Sequence, residues 1–263
     1  MHDIDGRVFP HPALIEERRQ WGHGAPPPDE QRFLVGPQPR SFELWHALRM
    51  FVSMIRGFRT FHFLGPTVTV FGSARFGNEH RYYALARLVG RDLARAGFTV
   101  MTGGGPGIME AANRGARDVG GSSVGCNIRL AREQAPNPYL DRYVTFDDFA
   151  IRKLMLIKYS YAFIAMPGGF GTLDEVFTTA TLIQTGQIRD FPMVFVGHDY
   201  WAPLLGFVTD TLFRAGAIDE ADVARLVVTD DPQKAVEAVR AIAMARFGLT
   251  YGPQARRRWW LGE

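Results

Sequence analysis

The stretch Phe163-Ile-Ala-Met-Pro-Gly-Gly-Phe-Gly-Thr-Leu-Asp-Glu175 decides the fold of this chain. Its apolar start predicts a buried strand, which runs into a glycine turn and then into an acid-led helix. Glycines allow positive φ angles and a close approach of the backbone to a ligand. The free N–H groups and the dipole of the following helix favour a phosphate. The segment therefore predicts an anion site with a carboxylate, that of Glu175, beside it.

Two interpretations of Glu175 stay open on this segment alone. A carboxylate next to a phosphate is repelled by it, which is wasteful in a protein that only binds nucleotide and indicates chemistry instead. The alternative is structural, because Thr172 as helix cap and Glu175 three residues later match the capping-box pattern. The two roles are compatible with each other.

The pattern of strand, glycine turn and helix repeats along the chain. Strands are predicted at residues 67–71, 98–101, 122–128, 142–146, 161–166, 191–196 and 226–228, and further helices at 79–96, 108–119, 147–160, 200–215 and 232–247. Short apolar strands that alternate with helices predict an α/β fold, a Rossmann-like doubly wound parallel sheet with helices on both faces. Ligands of such folds lie beyond the carboxyl ends of the strands.

Composition divides the chain into three segments. Residues 1–65 are predicted to be a proline-rich arm and an amphipathic helix, 66–248 a nucleotide-binding catalytic domain, and 249–263 a basic and aromatic tail. Up to residue 40 the prolines discourage regular structure. An apolar stripe then recurs at steps of three and four residues: Leu44, Leu48, Phe51, Ile55, Phe58 and Phe61. Its basic flank allows a membrane-surface interpretation, but docking on the protein's own core or on a second subunit is favoured.

Bulk properties exclude several classes of function. The single cysteine of the 263 residues rules out an internal disulfide and a multi-cysteine metal site, and the seven histidines show no metal-ligand spacing. A net charge of +3 suits an anionic small molecule but gives no basic stripe for nucleic acid. The N-terminus lacks the features of a secretory signal and no apolar run spans a bilayer. We therefore expect a cytoplasmic protein that binds neither metal, nucleic acid nor, stably, a membrane.

A second glycine loop, Gly103-Gly104-Gly105-Pro106-Gly107, also follows a predicted strand and opens a helix. It matches neither the dinucleotide fingerprint nor the P-loop ending, and alone it fits a tight turn as well as a phosphate nest. Two such loops at one edge of the sheet favour phosphate recognition. Ser73, after the first predicted strand, adds a third backbone approach and a hydroxyl.

The pair Arg152-Lys153 lies early in the helix that precedes the fifth strand. Such a pair is usually a solvated helix face. Near the ligand edge, however, a guanidinium can hold a substrate anion or stabilise charge on a leaving group. Cys126, within a strand, is interpreted as a small buried hydrophobe and not as a nucleophile.

Four motifs together resemble the LOG (Lonely Guy) family. They are Phe71-Gly-Ser-Ala-Arg75, Gly103-Gly-Gly-Pro-Gly-Ile-Met-Glu110, Arg152-Lys153 with Met155, and Pro167-Gly-Gly-Phe-Gly-Thr-Leu-Asp-Glu175. Members are cytokinin riboside 5′-monophosphate phosphoribohydrolases, and many relatives carry the label of possible lysine decarboxylases. The resemblance implies hydrolysis of the N-glycosidic bond of AMP or a cytokinin riboside 5′-monophosphate to free base and ribose 5-phosphate. It further implies no cofactor and a homodimer or higher homo-oligomer.

The resemblance also implies roles for individual residues. Arg152 and Glu175 map to the catalytic arginine and glutamate of the family. The implied substrate contacts are Ser73, Gly103, Gly104, Gly105, Gly107, Glu133, Lys153, Gly168, Gly169, Gly171, Thr172 and Thr181. Because breaking a glycosidic bond builds positive charge on the sugar, a carboxylate beside the nucleotide gains a purpose.

The chain departs from cytokinin-specific members in two places. Gly125-Cys-Asn-Ile-Arg129 replaces the usual G-V-I-P, and Leu182-Ile-Gln-Thr-Gly186 stands where those members have Q-L-G. Plain AMP is therefore a reasonable substrate. The leading alternative is a non-catalytic carrier of nucleotide or molybdenum cofactor with the same fold. DNA binding lacks a basic stripe, and lysine decarboxylation lacks a recognisable pyridoxal phosphate lysine.

Overall fold

The computed structural model describes residues 28–129, 135–189 and 191–247. Seven strands form one sheet in the order β4-β3-β2-β1-β5-β6-β7, and every neighbouring pair is parallel. They are β1 Thr67–Phe71, β2 Thr99–Thr102, β3 Ser123–Ile128, β4 Arg142–Phe146, β5 Ala162–Ala165, β6 Met193–Val196 and β7 Leu226–Thr229. The predicted strands are thus present, with ends that differ by one or two residues.

Helices connect the strands. They are α1 Pro28–Leu34, α2 Arg40–Phe61, α3 Arg81–Arg95, α4 Ile108–Arg117, α5 Phe149–Lys158, α6 Phe170–Gln184, α7 His198–Phe207, α8 Glu220–Ala224 and α9 Pro232–Phe247. A π-helical segment, Val208–Phe213, continues α7, so the single helix predicted at 200–215 is divided. None of the described helices combines the length and apolar character needed to cross a bilayer.

The strands bury both of their faces. In β1, Val68 and Val70 join a core cluster under α3, α4 and α9, whereas Phe71 joins a second cluster under α2, α5, α6 and α7. Successive side chains of a strand point to opposite faces, so a strand covered on both sides is mostly apolar. The two buried threonines of β1, Thr67 and Thr69, have hydrogen-bond partners for their hydroxyls. Helices on both faces of a parallel sheet confirm the predicted doubly wound fold.

The direction of winding reverses between β1 and β5. From β1 the chain proceeds outward through β2 and β3 to β4, and from β5 it proceeds the other way to β7. In an open parallel sheet, such a reversal leaves a crevice outside the carboxyl ends of the two central strands. The loops after β1, β2 and β5 all end at this crevice.

Backbone hydrogen bonds tie these three loops together. The Ser73 N–H after β1 donates to the Pro167 carbonyl after β5 (3.0 Å), and the Ile108 N–H at the start of α4 donates to the Ser73 carbonyl (2.9 Å). The crevice is therefore built as one unit, with Ser73 in its centre.

The N-terminal extension differs from its prediction in two respects. Pro28–Leu34 is helical although no regular structure was expected before residue 40. Pro28 occupies the first helical position, where a missing N–H has no intrahelical partner to lose. The stripe of α2 is also divided: Phe58 and Phe61 pack on the core, but its other members, Leu44, Leu48, Phe51 and Ile55, are exposed. Residues 1–27 and the predicted tail 249–263 lie outside the described residues, and the division into three segments stays a prediction.

Candidate active site

Helix α6 begins immediately after the glycine turn. Gly169 is its N-cap, without a side-chain cap, and Thr172 is its third residue, so the capping-box interpretation of Thr172 and Glu175 is wrong. Thr172 is instead buried beneath the turn. A Cβ on Gly168 would overlap the Thr172 hydroxyl and lie 2.9 Å from the Ser73 nitrogen, so this position tolerates only glycine. The turn is thereby pressed against the loop after β1.

The carboxyl group of Glu175 is almost fully enclosed. Its side chain is 3% exposed, and Oε1 accepts a hydrogen bond from Arg152 Nη1 at 3.3 Å. Oε2 is buried without a hydrogen-bond partner among the described residues. Burial raises the pKa of Glu175, with a smaller contribution from Asp174, whereas the charges of Arg152 and Lys153 oppose the shift. A carboxyl with a raised pKa and a free oxygen is suited to take up a proton.

Arg152 joins the two glycine loops. Its Nε donates to the Cys126 carbonyl at the end of β3 (3.1 Å), while Nη1 reaches Glu175 on α6. A Cβ on Gly103 would lie 2.7 Å from Nη2, which shows that the guanidinium lies directly against the loop after β2. With 15% of its side chain exposed, Arg152 is no solvated helix face.

Lys153 points in a different direction from its neighbour. Its Nζ donates to Asp174 Oδ1 (2.7 Å) and to the Thr178 hydroxyl (3.1 Å), both on α6. These bonds fasten α5 to α6 beside the Arg152–Glu175 pair. The hydrogen bonds of the Lys153 side chain thus go to helix α6 and not to the glycine loops.

The loop Gly103–Gly107 requires glycine at two of its turns. Gly104 and Gly107 have φ angles of 73° and 69°. A Cβ on Gly107, the N-cap of α4, would also meet the Ser73 carbonyl at 2.5 Å. The loop is buried from Gly103 to Gly105. Ser73 is part of the same contact, but its hydroxyl accepts the Arg75 N–H (3.1 Å).

Two asparagines that the sequence did not single out hold this loop. Asn137 Nδ2 donates to the Gly105 carbonyl (3.1 Å) and to Asn113 Oδ1 (3.0 Å). The Thr102 hydroxyl donates to the same Asn113 oxygen (2.6 Å) and accepts the Gly104 N–H (2.9 Å). A polar Asn113 on the buried face of amphipathic α4 was the one signal available.

One predicted contact, Thr181, is not brought to this cluster, and another cannot be compared with it. Thr181 lies about 120° around α6 from Glu175, and its hydroxyl donates to the Phe177 carbonyl of the same helix (2.8 Å). Glu133 lies outside the described residues. Gly169 and Gly171 are exposed at the start of α6, with their backbone open toward the crevice.

The Arg152–Glu175 pair has neither a reactive thiol nor a metal cluster beside it among the described residues. Burial raises the pKa of the Cys126 thiol to about 12, so it stays protonated, as the interpretation of a buried hydrophobe requires. In the described part of the chain, no three His, Cys, Asp or Glu side chains are grouped so as to hold a metal ion.

Several known proteins are similar to this chain. A family model described as possible lysine decarboxylase matches residues 109–239. A cytokinin riboside 5′-monophosphate phosphoribohydrolase of Rhodococcoides fascians is 32% identical over 179 residues, 66% of this chain and 89% of the relative. A pyrimidine/purine nucleotide 5′-monophosphate nucleosidase of Escherichia coli K12 is 27% identical over 202 residues, 68% of this chain but 44% of that protein.

A solved structure supports the fold. The molybdenum cofactor binding protein of Rippkaea orientalis superposes with a TM-score of 0.52 at 22% identity, covering 68% of this chain and 97% of that one. At this identity the likeness concerns the fold alone. The four motifs, the parallel sheet and the relative from Rhodococcoides fascians all indicate the same family. The chain belongs to the LOG family, whose family model is described as possible lysine decarboxylase.

Proposed function

We propose that this protein hydrolyses the N-glycosidic bond of a nucleoside 5′-monophosphate to free base and ribose 5-phosphate. The observation that carries the proposal is the buried Glu175 carboxyl, held 3.3 Å from Arg152 where three glycine-containing loops meet. The anion-binding loops account for binding of the substrate phosphate, and the enclosed carboxyl of Glu175 accounts for a reaction at the sugar. The printed activities of the Rhodococcoides and Escherichia relatives are of the same type.

The phosphate is assigned to the backbone of the crevice. The N-terminus of α6 offers N–H groups and the positive end of its dipole, and its first turn carries no acidic residue. The loop Gly103–Gly107 contributes the facing wall. A phosphate held at these two loops directs the ribose toward the Arg152–Glu175 pair.

Glu175 is assigned the central chemical role. As the bond between C1′ and the base breaks, the base leaves with the electron pair and positive charge develops on the sugar ring, which the carboxylate stabilises. A water oxygen then bonds to C1′, and Glu175 takes the released proton. The departing base takes up one proton and Glu175 gives up the one it took, so one water is consumed and the products are neutral base and ribose 5-phosphate.

Arg152 is assigned to orientation and charge. Its hydrogen bond fixes one Glu175 oxygen, and its positive charge opposes the rise that burial causes in the pKa of Glu175. The guanidinium against Gly103 is also placed to donate to the substrate anion or to the leaving base.

We propose AMP as the first substrate to test. Leu140 packs against the segment that begins at Gly125: its Cδ1 would lie 2.8 Å from a Cβ on Gly125 and 3.4 Å from one on Gly104. This segment belongs to the region where the chain departs from cytokinin-specific members. The fold shared with molybdenum cofactor proteins is compatible with a carrier as well as with an enzyme. The enclosed carboxyl of Glu175 favours the enzyme.

Release of adenine from AMP tests the proposal. Purified protein is incubated with AMP, adenine and ribose 5-phosphate are followed by chromatography, and AMP binding is measured separately by calorimetry. We expect both products in equal amounts from the wild type. If AMP binds and adenine does not exceed that from Glu175→Gln, the hydrolase proposal is wrong for AMP, and cytokinin riboside 5′-monophosphate is tested in the same way.

We further propose that the protein acts in the cytoplasm as a homodimer or a higher homo-oligomer. The exposed Leu44, Leu48, Phe51 and Ile55 of α2 follow one another at steps of four, three and four residues. This is the spacing by which helices pair along an apolar seam. A second copy of α2 is the self-complementary partner for such a stripe.

Light scattering after size exclusion tests the pairing of α2. Phe51→Glu places a charge in the middle of the stripe and should halve the measured mass. Leu88→Glu, on exposed α3 across the sheet, is the matched control and should leave the mass unchanged. An unchanged mass for Phe51→Glu contradicts this surface, and binding of the wild type to anionic vesicles would favour the membrane interpretation instead.

A further inference from the structure

Helix α5, which carries Arg152, is capped by a distant part of the chain. Its N-cap residue Asp148 makes no side-chain cap. Instead, Glu30 Oε1 of α1, 119 residues away, accepts the Phe149 N–H at 3.3 Å. The first N–H groups of a helix have no intrahelical partner and must find an acceptor elsewhere. The N-terminal extension supplies that acceptor.

The carboxylate of Asp148 is also bound by the extension. Its Oδ1 is 3.0 Å from His46 Nε2 of α2, and the two side chains are 11% and 6% exposed. The His46 ring is stacked on Phe33 of α1 with 4.2 Å between ring centres, which fixes its orientation. Two helices of the extension thus converge on the first residues of α5.

These contacts lie one helical turn from the catalytic guanidinium. The Asp148 carbonyl accepts the Arg152 N–H at 3.1 Å. The residue whose carboxylate is held by His46 is therefore hydrogen-bonded through its backbone to Arg152. Any rotation of the first turn of α5 changes the 3.3 Å approach of Arg152 to Glu175.

Polar side chains such as Glu30 and His46 are not needed merely to attach the extension to the domain. Glu30 Oε2 and His46 Nδ1 are buried without a hydrogen-bond partner in the described residues, and burying such atoms is unfavourable. The other end of α2 is attached without them. There Phe61 is fully buried against Phe146 and Tyr159, at the C-terminal end of α5.

We propose that Glu30 and His46 are positioning residues for Arg152, which fix the first turn of α5 through the Phe149 N–H and the Asp148 carboxylate. The inference rests on the proposed hydrolase function for its kinetic test. It gives the N-terminal extension a part in catalysis, although no residue of the extension contacts the Arg152–Glu175 pair in the described contacts.

Four full-length variants test the inference. His46→Ala removes the contact with Asp148, and His46→Gln retains an amide donor for it. Glu30→Ala removes the acceptor of the Phe149 N–H, and Phe61→Leu loosens the apolar end of α2 without touching Asp148. For each we measure kcat and KM with AMP, the melting temperature, and the hydrogen exchange of the amides from 149 to 152 in the ligand-free protein.

A misplaced catalytic group lowers kcat, whereas phosphate binding by the glycine loops is retained. We expect kcat of His46→Ala to fall about tenfold to a hundredfold with KM changed less than about threefold. His46→Gln should recover most of the loss. Phe61→Leu should lower the melting temperature at least as much and leave kcat within about twofold. Exchange at 149–152 should be faster in His46→Ala and in Glu30→Ala, but not in Phe61→Leu.

Equal kcat values for His46→Ala and Phe61→Leu would overturn the inference, as would unchanged exchange at 149–152. Should the wild type release no base from any nucleotide, the proposed function fails and the exchange measurement decides alone. Faster exchange confined to 149–152 then supports the positioning of α5. Where His46→Ala does not fold, Glu30→Ala, which removes the acceptor of the Phe149 N–H, provides the same comparison with Phe61→Leu.

Discussion

The two glycine loops that face each other across the crevice are supported in opposite ways. Around the loop after β2, the side chains of Thr102, Asn113 and Asn137 are all hydrogen-bonded. Around the helix after β5, Glu175 Oε2 and Thr179 Oγ1 are buried without a partner in the described residues. A satisfied polar network makes a rigid support, whereas unsatisfied groups lower stability and mark a site where chemistry is done. On the proposed function, the first wall only holds the phosphate, whereas the second wall also carries the reacting acid.

The largest effect is expected at the reactive wall. Glu175→Gln removes the base but keeps the shape, so kcat for AMP should fall about a thousandfold or more. Glu110→Gln is the control, since Glu110 is partly buried and accepts the hydroxyl (2.9 Å) of Tyr83 on α3, a helix that covers the opposite face of the sheet from α5 and α6. Its kcat should stay close to the wild type. A similar loss of kcat in Glu175→Gln and Glu110→Gln would contradict a special catalytic role for Glu175.

The same Glu175→Gln variant has a second, thermodynamic signature. Since burial raises the pKa of Glu175 above 4.5, the folded protein holds this proton more tightly than the unfolded chain does. The free energy of unfolding of the wild type should therefore fall, relative to Glu175→Gln, as the pH rises through 4.5. The difference should be smallest below that pH. Urea unfolding of both proteins over a range of pH measures it, and the opposite slope would contradict the raised pKa.

A somewhat smaller effect is expected from Arg152→Ala. Turnover should fall about a hundredfold, far beyond any effect on folding, because a positioned charge is lost from the reacting centre. Loss of the cation also removes the contribution that lowers the pKa of Glu175, so the ascending limb of residual kcat against pH should move to higher pH. Parallel loss of melting temperature and activity would instead indicate a structural role.

The smallest effect on turnover is expected at the anchoring wall. Asn113→Ala leaves Thr102 and Asn137 without their shared acceptor, which should lower the free energy of unfolding by about 3 kcal/mol. KM for AMP should rise about tenfold, with kcat changed little, because the loop binds the phosphate in ground and transition states alike. A fall in kcat without a change in KM would show that the two walls do not divide their tasks.

The sequence predicted the two walls but not what supports them. Local patterns were enough for the strands, the glycine turns and the pair Arg152 and Glu175, because each motif is continuous in the chain. Asn137 contacts Gly105 across 32 residues and Asn113 across 24, and no local pattern announces such bonds. The predicted capping box of Thr172 and Glu175 was wrong because Gly169 is the N-cap of α6, which places Thr172 inside the helix.

The extension was the least predictable part for a related reason. A composition rich in proline concealed α1, since Pro28 at the first helical position starts a helix and does not break it. Glu30 finds its partner 119 residues further along the chain. The exposed part of the α2 stripe looked the same in sequence as the part that is packed on the core, because both follow one helical period.

The lone thiol of the molecule offers a way to watch the crevice loosen. Cys126 is the chain's single cysteine, fully buried, with Sγ 3.6 Å from the Arg152 carbonyl oxygen. An alkylating reagent reaches it only when α5 lifts from β3, so the labelling rate counts the openings of the helix that holds Arg152. The single thiol beside Arg152 is thus a natural reporter of this opening, readable by mass spectrometry without an engineered cysteine.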